Sequence, residues 1–313
     1  MGNIRAQFVL EALEDLRNSL NKIGSGLVVT KEMPEHFIPS LLSADKHNLV
    51  VFQQEVCSEE LAVEANLVQS LRETGHSVAV KSLWGSTLHH IHDLPYNPNE
   101  FLPHVYGELK RENAGTKVRE LVATPKKGDL VFPENDALKN SRNYMPTLKD
   151  LGFETPVHDN RSVLKFIGGE SAGLKRIDEY IYQRESLGHY AETRNNLIGS
   201  EYSSKFSPWL ANGAVSCRDI YWKVKAFEEK HGPSESTKKF IDELFWRDFS
   251  YYWCMLNGTR VFFEYGITDR THYNWRVDKN LIQRWREGKT GMPLIDALMR
   301  ELNESGFMSN RGR

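Results

Sequence analysis

Residues 5–83 alternate helix-patterned and strand-patterned segments three times, with short connections. Val9, Leu13, Leu16 and Leu20 recur at helical spacing, with Phe8 beside them, and predict a helix over 5–22. Leu27–Thr30 follows as a short β-branched strand. Pro34–Leu42 reads as a helix, and Asn48–Gln53 as a strand. Ser58 can cap a helix running to about Thr74 and closed by Gly75. His76–Leu83 is a third strand. Such alternation predicts a parallel sheet with helices on its faces. A doubly wound domain normally opens on a strand, whereas this one opens on a helix. Three strands are also few for a stable sheet. The chain is therefore expected to enter this domain partway through.

One more helix is predicted over 95–113. From Ala114 to Gly169 periodicity is weak, and Pro125, Pro133, Pro146 and Pro156 are spread through the stretch, which reads as a linker. From Glu170 onward the pattern is helical, with helices predicted over 170–186, 216–230, 234–257, 279–287 and 292–304. The expected division is therefore 1–113, 114–169 and 170–313. No apolar run approaches the ~18–20 residues of a membrane span. The three cysteines, Cys57, Cys217 and Cys254, form no Cys-x-x-Cys pair, which argues against a disulfide framework and a cysteine-rich metal site. The net charge of −2 is uneven: residues 184–313 sum to +3 and the rest to −5. Six of the seven tryptophans lie in the second stretch. They can be extra core or part of a site for flat ligands. The first residues show no signal-peptide core, transit stretch or myristoylation pattern.

Three segments carry chemistry. Residues 190–210 form a polar loop entering a helix, with Ser203, Ser204, Lys205 and Ser207 before Pro208. Hydroxyls ahead of a helix can simply cap it, or can cradle an anion such as a phosphate with help from Lys205. On the helix over 234–257, Glu243, Trp246 and Arg247 share one face at i, i+3 and i+4. That set can be a surface ion pair with a core indole. It also suits a heteroaromatic ligand, with the indole stacking, the carboxylate accepting hydrogen bonds and the guanidinium meeting phosphate. Residues 285–313 join a turn to an amphipathic helix that Gly306 ends, followed by the polar run Asn310, Arg311, Gly312, Arg313. Gly288-Lys289-Thr290 lacks the preceding glycine and strand of a nucleotide phosphate loop.

These segments, in this order, closely resemble the photolyase/cryptochrome family, and best its DASH-type cryptochrome branch. The carriers are Ser-Ser-Lys-Phe-Ser-Pro-Trp-Leu at 203–210, Glu-Leu-Phe-Trp-Arg-Asp-Phe at 243–249, Trp-Arg-Glu-Gly-Lys-Thr-Gly at 285–291 and Gly-Phe-Met-Ser-Asn-Arg-Gly-Arg at 306–313. Arg5-Ala-Gln-Phe and Trp84-Gly-Ser-Thr-Leu extend the likeness to the first half. The resemblance implies a Rossmann-like α/β antenna domain, truncated at its first strands, followed by an all-α FAD-binding domain, truncated at its last helices. It implies FAD as cofactor and 5,10-methenyltetrahydrofolate as an antenna in the complete protein. It implies light-driven repair of cyclobutane pyrimidine dimers, mainly in single-stranded DNA, by electron transfer from excited reduced flavin. Blue-light sensing without repair is the alternative, and loss of function in a shortened chain is a third outcome. DNA is the expected partner, with no membrane, no metal and a monomeric state. The compartment stays open, and a chloroplast or mitochondrial import signal would lie upstream.

The resemblance also assigns residues. Tyr190, Ser203, Ser204, Lys205, Phe206, Ser207 and Arg247 correspond to FAD-binding positions, with the serine-rich turn near the pyrophosphate. Glu243 corresponds to the carboxylate that hydrogen-bonds the dimer, and Trp246 to the indole that packs on it. Asn310 stands beside flavin and lesion, and Arg313 near the flavin ring. Arg194 and Arg311 correspond to DNA-phosphate contacts. Trp275 corresponds to the outer end of the tryptophan chain that photoreduces flavin.

Overall fold

The computed structural model describes residues 2–133, 138, 141, 143–268 and 274–313. In chain order the first elements are α1 (Asn3–Lys22), α2 (Pro34–Phe37), β1 (Asn48–Gln53), α3 (Ser58–Glu73), β2 (Val78–Leu83) and α4 (Tyr106–Glu112). Then come α5 (Glu170–Asp178), α6 (Tyr190–Thr193), α7 (Ser207–Ala211), α8 (Cys217–His231), α9 (Glu235–Asn257), α10 (Lys279–Arg286) and α11 (Pro293–Ser305). Two compact units share these elements. The first gathers Met1–Thr30, Val122–Phe240 and Asn274–Arg313, and the second Lys31–Leu121 and Ile241–Tyr273. Boundaries at 113 and 169 divide the chain along its length, whereas these units divide it in space, and the two divisions do not coincide.

In the second unit β1 and β2 pair in parallel, from Asn48 opposite Val78 to Gln53 opposite Leu83. The crossover between them contains α3, which buries Leu67 and Leu71. The unit's core is Val56, Trp84, Leu102, Leu109, Phe245, Phe249 and Tyr252. It joins the segment after β2 to α4 and to the later turns of α9. Two helices are shorter than their composition predicts. The helix predicted over 95–113 is confined to Tyr106–Glu112. Pro98 and Pro103 deny the preceding turns their N–H donors, and Asn97 instead accepts from the Asn99 N–H at 3.1 Å. The helix predicted over Pro34–Leu42 likewise changes to a 3₁₀ turn over Ile38–Leu41, where Pro39 falls.

In the first unit Leu27–Thr30 forms no strand, so the only ladder among the described residues has two strands rather than three. β-branched composition favours a strand only where a neighbour supplies the ladder. The 114–169 stretch is mostly irregular where described, with a 3₁₀ turn at Lys149–Leu151. Positions 134–137, 139, 140 and 142 of it lie outside the described residues. The helix predicted over 170–186 ends as an α-helix at Asp178 and continues as a π turn over Glu179–Gln183. The helices predicted over 216–230, 234–257, 279–287 and 292–304 are present as α8, α9, α10 and α11, with shifts of a residue at their ends.

α1 supplies the cap that α5 lacks. The Asp15 carboxylate accepts from the Ser171 N–H at 3.0 Å and the Ser171 hydroxyl at 2.8 Å, and Glu11 accepts from the Gly168 N–H at 2.7 Å. This seats the 168–171 turn directly on α1. A Cβ at Gly168 would stand 1.9 Å from Phe8 O and 2.8 Å from Ala12 N, both backbone atoms of the helix. Gly168→Ala is therefore expected to cost about 1–3 kcal/mol, as overpacking does elsewhere. Gly107→Ala, with nothing within 4 Å of the added carbon, serves as the neutral comparison. Urea midpoints check the pair, and equal midpoints would contradict the close seating.

Candidate functional site

The assigned residues fall into the two units. In the first unit the serine turn runs from Ser203 into α7. Lys205 takes a left-handed backbone angle, φ 59°, which turns the chain sharply between the hydroxyl residues. Its side chain goes inward. Nζ donates to Ser200 O at 2.8 Å and lies 3.5 Å from the centre of the Tyr202 ring. Burial, with Arg176 nearby, lowers the Lys205 pKa to about 8. The ammonium is thus spent on holding the turn and is not presented as the cationic wall expected from its place in the sequence. Ser203 and Ser204 are half-buried and Ser207 is exposed. No hydrogen bond among the described residues uses the Ser204 or Ser207 hydroxyl. Phe206 is buried against Tyr180 and Phe240 and fixes the floor of the turn.

Arg176 braces this turn and was not legible in the sequence. It is buried, donates to Ser204 O at 3.1 Å and to Ser200 O at 3.1 Å, and pairs with Glu201 at 3.0 Å. Tyr190 begins α6 and is buried edge-on to Phe240 at 5.0 Å. The Arg194 guanidinium lies 5.8 Å from the centre of the Tyr190 ring. Arg311 donates to Asn195 Oδ1 at 2.5 Å. Arg311 thus reaches the residue that follows Arg194 at the end of α6. Asn310 and Arg313 are exposed on the turn after α11, where the Gly312 N–H donates to Ser309 Oγ at 3.0 Å. Trp275 is 62% exposed.

In the second unit α9 presents Glu243, Trp246 and Arg247. Trp246 is 44% exposed, and one of its faces is covered by Tyr106, stacked at 3.9 Å with 14° between the planes. Tyr106 is itself held by its hydroxyl, which donates to Asp242 O at 2.9 Å. Burial, with Asp242 and Glu243 nearby, raises the Tyr106 pKa. Arg247 donates to Ser86 O and to the Tyr251 hydroxyl at 3.3 Å, and its guanidinium lies 4.8 Å from the centre of the Tyr251 ring. The one-face spacing read from the sequence is therefore an exposed indole beside a guanidinium fixed in advance.

The next residue, Asp248, is the anchor of this arrangement. It is fully buried and accepts from the Leu88 and His89 N–H groups, each at 2.9 Å. Burial raises its pKa to about 7 against the lowering effect of those bonds and of Arg247. The Tyr252 hydroxyl donates to His89 O at 2.9 Å, and Trp84 Nε1 to the Thr87 hydroxyl at 2.7 Å. The Trp84–Thr87 bond lies within the segment, and with the Arg247–Ser86 bond the Trp84–His89 segment is tied to α9 at four points. In the sequence Asp248 stood out only as part of the Trp-Arg-Asp-Phe run. No cluster of three potential metal ligands occurs among the described residues. None of their helices is long and apolar enough to cross a membrane.

Residues 1–126 match the family described as "DNA photolyase", and residues 240–313 match "FAD binding domain of DNA photolyase". Cryptochrome DASH of Gloeobacter violaceus is 41% identical over 312 residues, which cover 100% of this chain and 61% of that protein. The chloroplastic/mitochondrial cryptochrome DASH of Arabidopsis thaliana is 38% identical and is covered over 53% of its length. Among solved structures, the Synechocystis cryptochrome superposes with a TM-score of 0.90 at 38% identity, covering 100% of this chain and 63% of that one. A class III photolyase from Agrobacterium tumefaciens superposes at 0.75 with 25% identity. The chain spans about three fifths of the length of the Gloeobacter relative. The fold is accordingly that of the photolyase α/β domain followed by the helical FAD-binding domain, each present in part. With both domains matched in order and relatives aligned along its whole length, this chain belongs to the photolyase/cryptochrome family.

Proposed function

We propose that this chain serves the light-driven, FAD-dependent splitting of cyclobutane pyrimidine dimers, preferentially in single-stranded DNA. The observation that carries the reading is the half-exposed Trp246 ring, backed on one face by Tyr106, with Glu243 one helical turn before it. A stacked, presented indole beside a carboxylate suits a flat pyrimidine pair whose N–H and C=O edges need partners.

The serine turn fits the cofactor's pyrophosphate: hydroxyls cluster at a left-handed residue directly before a helix start, and the internal cation keeps that turn rigid. Tyr190, Ser203, Ser204, Phe206 and Ser207 would hold FAD, and Lys205 would act through its backbone and its hold on the turn. Arg247 would meet a cofactor phosphate, already fixed by Ser86 and Tyr251. Asn310 and Arg313 would stand beside the flavin, and Trp275 would relay electrons to it. FAD, when bound, would supply the light-driven one-electron chemistry that opens the dimer without net oxidation. Glu243 would accept hydrogen bonds from the dimer and Trp246 would stack on it. Arg194 and Arg311 would bind DNA phosphates as one paired contact. Strand preference follows from the cost of extruding the lesion, which is smallest where pairing is already lost. The chain would act as a monomer. A methenyltetrahydrofolate antenna belongs to the same reading, with no ligand in this chain assigned to it.

The test is repair of a thymine-dimer oligonucleotide under blue light by flavin-loaded protein. Glu243→Gln keeps the shape of the side chain and removes its charge. It is expected to lower the repair yield roughly tenfold, the effect of losing about 1.4 kcal/mol from one charged hydrogen bond. Unchanged repair would remove Glu243 from this role. Full photoreduction of the parent with intact dimers would instead leave blue-light sensing as the function.

A further inference from the structure

The fold brings together two thiols that the sequence keeps far apart. Cys57 is the N-cap of α3 and Cys254 lies on α9, both within the second unit. Both are free and half-buried, packed at the margin of the core around Trp84, Phe245, Phe249 and Tyr252. The Cys254 S–H lies within hydrogen-bonding reach of the Cys57 sulfur. Burial, together with that neighbouring sulfur, pushes the Cys254 pKa up to about 11. The proton is thereby retained on Cys254 while Cys57 receives the hydrogen bond. A cysteine serving only as a small apolar core residue is usually buried outright, as Cys217 is in the first unit. Two neighbouring thiols, partly buried on the margin of one core, are instead placed for reaction with a small disulfide and then with each other.

We propose that Cys57 and Cys254 form a reversible intramolecular disulfide, a redox modification site on the helix that carries Trp246 and Arg247. The oxidant is a low-molecular-weight disulfide of the glutathione class. Cys57, as thiolate, attacks one sulfur of it, the S–S bond breaks, and one small thiol leaves. Cys254 gives its proton to solvent and attacks the Cys57 sulfur of the mixed disulfide, and the second small thiol leaves. The protein thiols lose two electrons and two protons, and one small disulfide becomes two thiols. The new bond ties α9 to the start of α3, next to the core that positions the Trp84–His89 segment.

The chain itself is equilibrated in glutathione buffers of increasing oxidised fraction, acid-quenched, alkylated and mapped by mass spectrometry without reduction. Two of the three thiols are expected to disappear together, with one cross-linked peptide pair holding Cys57 and Cys254 and with Cys217 alkylated. Cys254→Ser is expected to convert the bridge into a lasting glutathione adduct on Cys57. A parent chain that carries only glutathione adducts would overturn the proposal. So would a bridge between chains, or no thiol loss although all three thiols react in urea. The thiol count on the unsubstituted chain decides the matter without relying on a variant that folds.

Discussion

Asp248→Ala is expected to lower stability by about 2–4 kcal/mol, seen as a lower urea midpoint. The carboxylate takes two backbone N–H groups of the Trp84–His89 segment in a site closed to water. Alanine leaves both donors buried without an acceptor, and each such group costs about 1–3 kcal/mol. Part of that loss is returned, because the buried carboxyl no longer has to be desolvated. Asp248→Asn retains one acceptor and turns a donor toward the second N–H, so about half the loss is expected. An Asp248→Ala chain as stable as the parent would mean that the segment is held by Arg247 and Tyr252 alone.

The second large effect is a pH dependence that the parent conceals. Burial raises Asp248 from its ordinary 3.8 to about 7 and lowers His89 from 6.5 to about 4. Between about pH 4 and 6.5 the unfolded pair carries one proton, on histidine. The folded pair also carries one, on aspartate. Equal proton counts give no slope from this pair. His89→Gln removes the compensating half. Asp248 then binds more protons folded than unfolded, and its contribution is whole below 3.8 and lost as the pH rises through about 7. The variant is expected to lose about 1.4 kcal/mol per pH unit relative to the parent across that window. Urea unfolding of both proteins at about pH 5 and about pH 6 measures the difference. Parallel profiles would show that the two groups are not linked through folding in this way.

How much of this was legible in the sequence depends on how local each cause is. α8, α9 and α11 announce themselves because their apolar period lies within a few residues, and Gly306 closes α11. The failures at 95–113 and Leu27–Thr30 have equally specific reasons: prolines override an otherwise helical composition, and a strand needs a partner that composition cannot supply. In the candidate site, the spacing of Glu243, Trp246 and Arg247 on one helix was readable. Their fixed partners were not, since Tyr106, Ser86 and Leu88 come from distant parts of the chain. Lys205 illustrates the other limit. Its charge pointed to an anion, yet whether a lysine faces outward or folds into its own turn is decided by φ and by the carbonyls around it.

The interleaving of the two units has a consequence for biosynthesis. The unit that holds the serine turn also includes the first thirty residues and the last forty. During synthesis, α1 leaves the ribosome long before α11 and the Asn310–Arg313 turn exist. Its apolar face must therefore wait, unburied in part, while the whole second unit is made. Vectorial folding of one domain after another is closed to such a chain. Neither unit can be excised as one continuous piece.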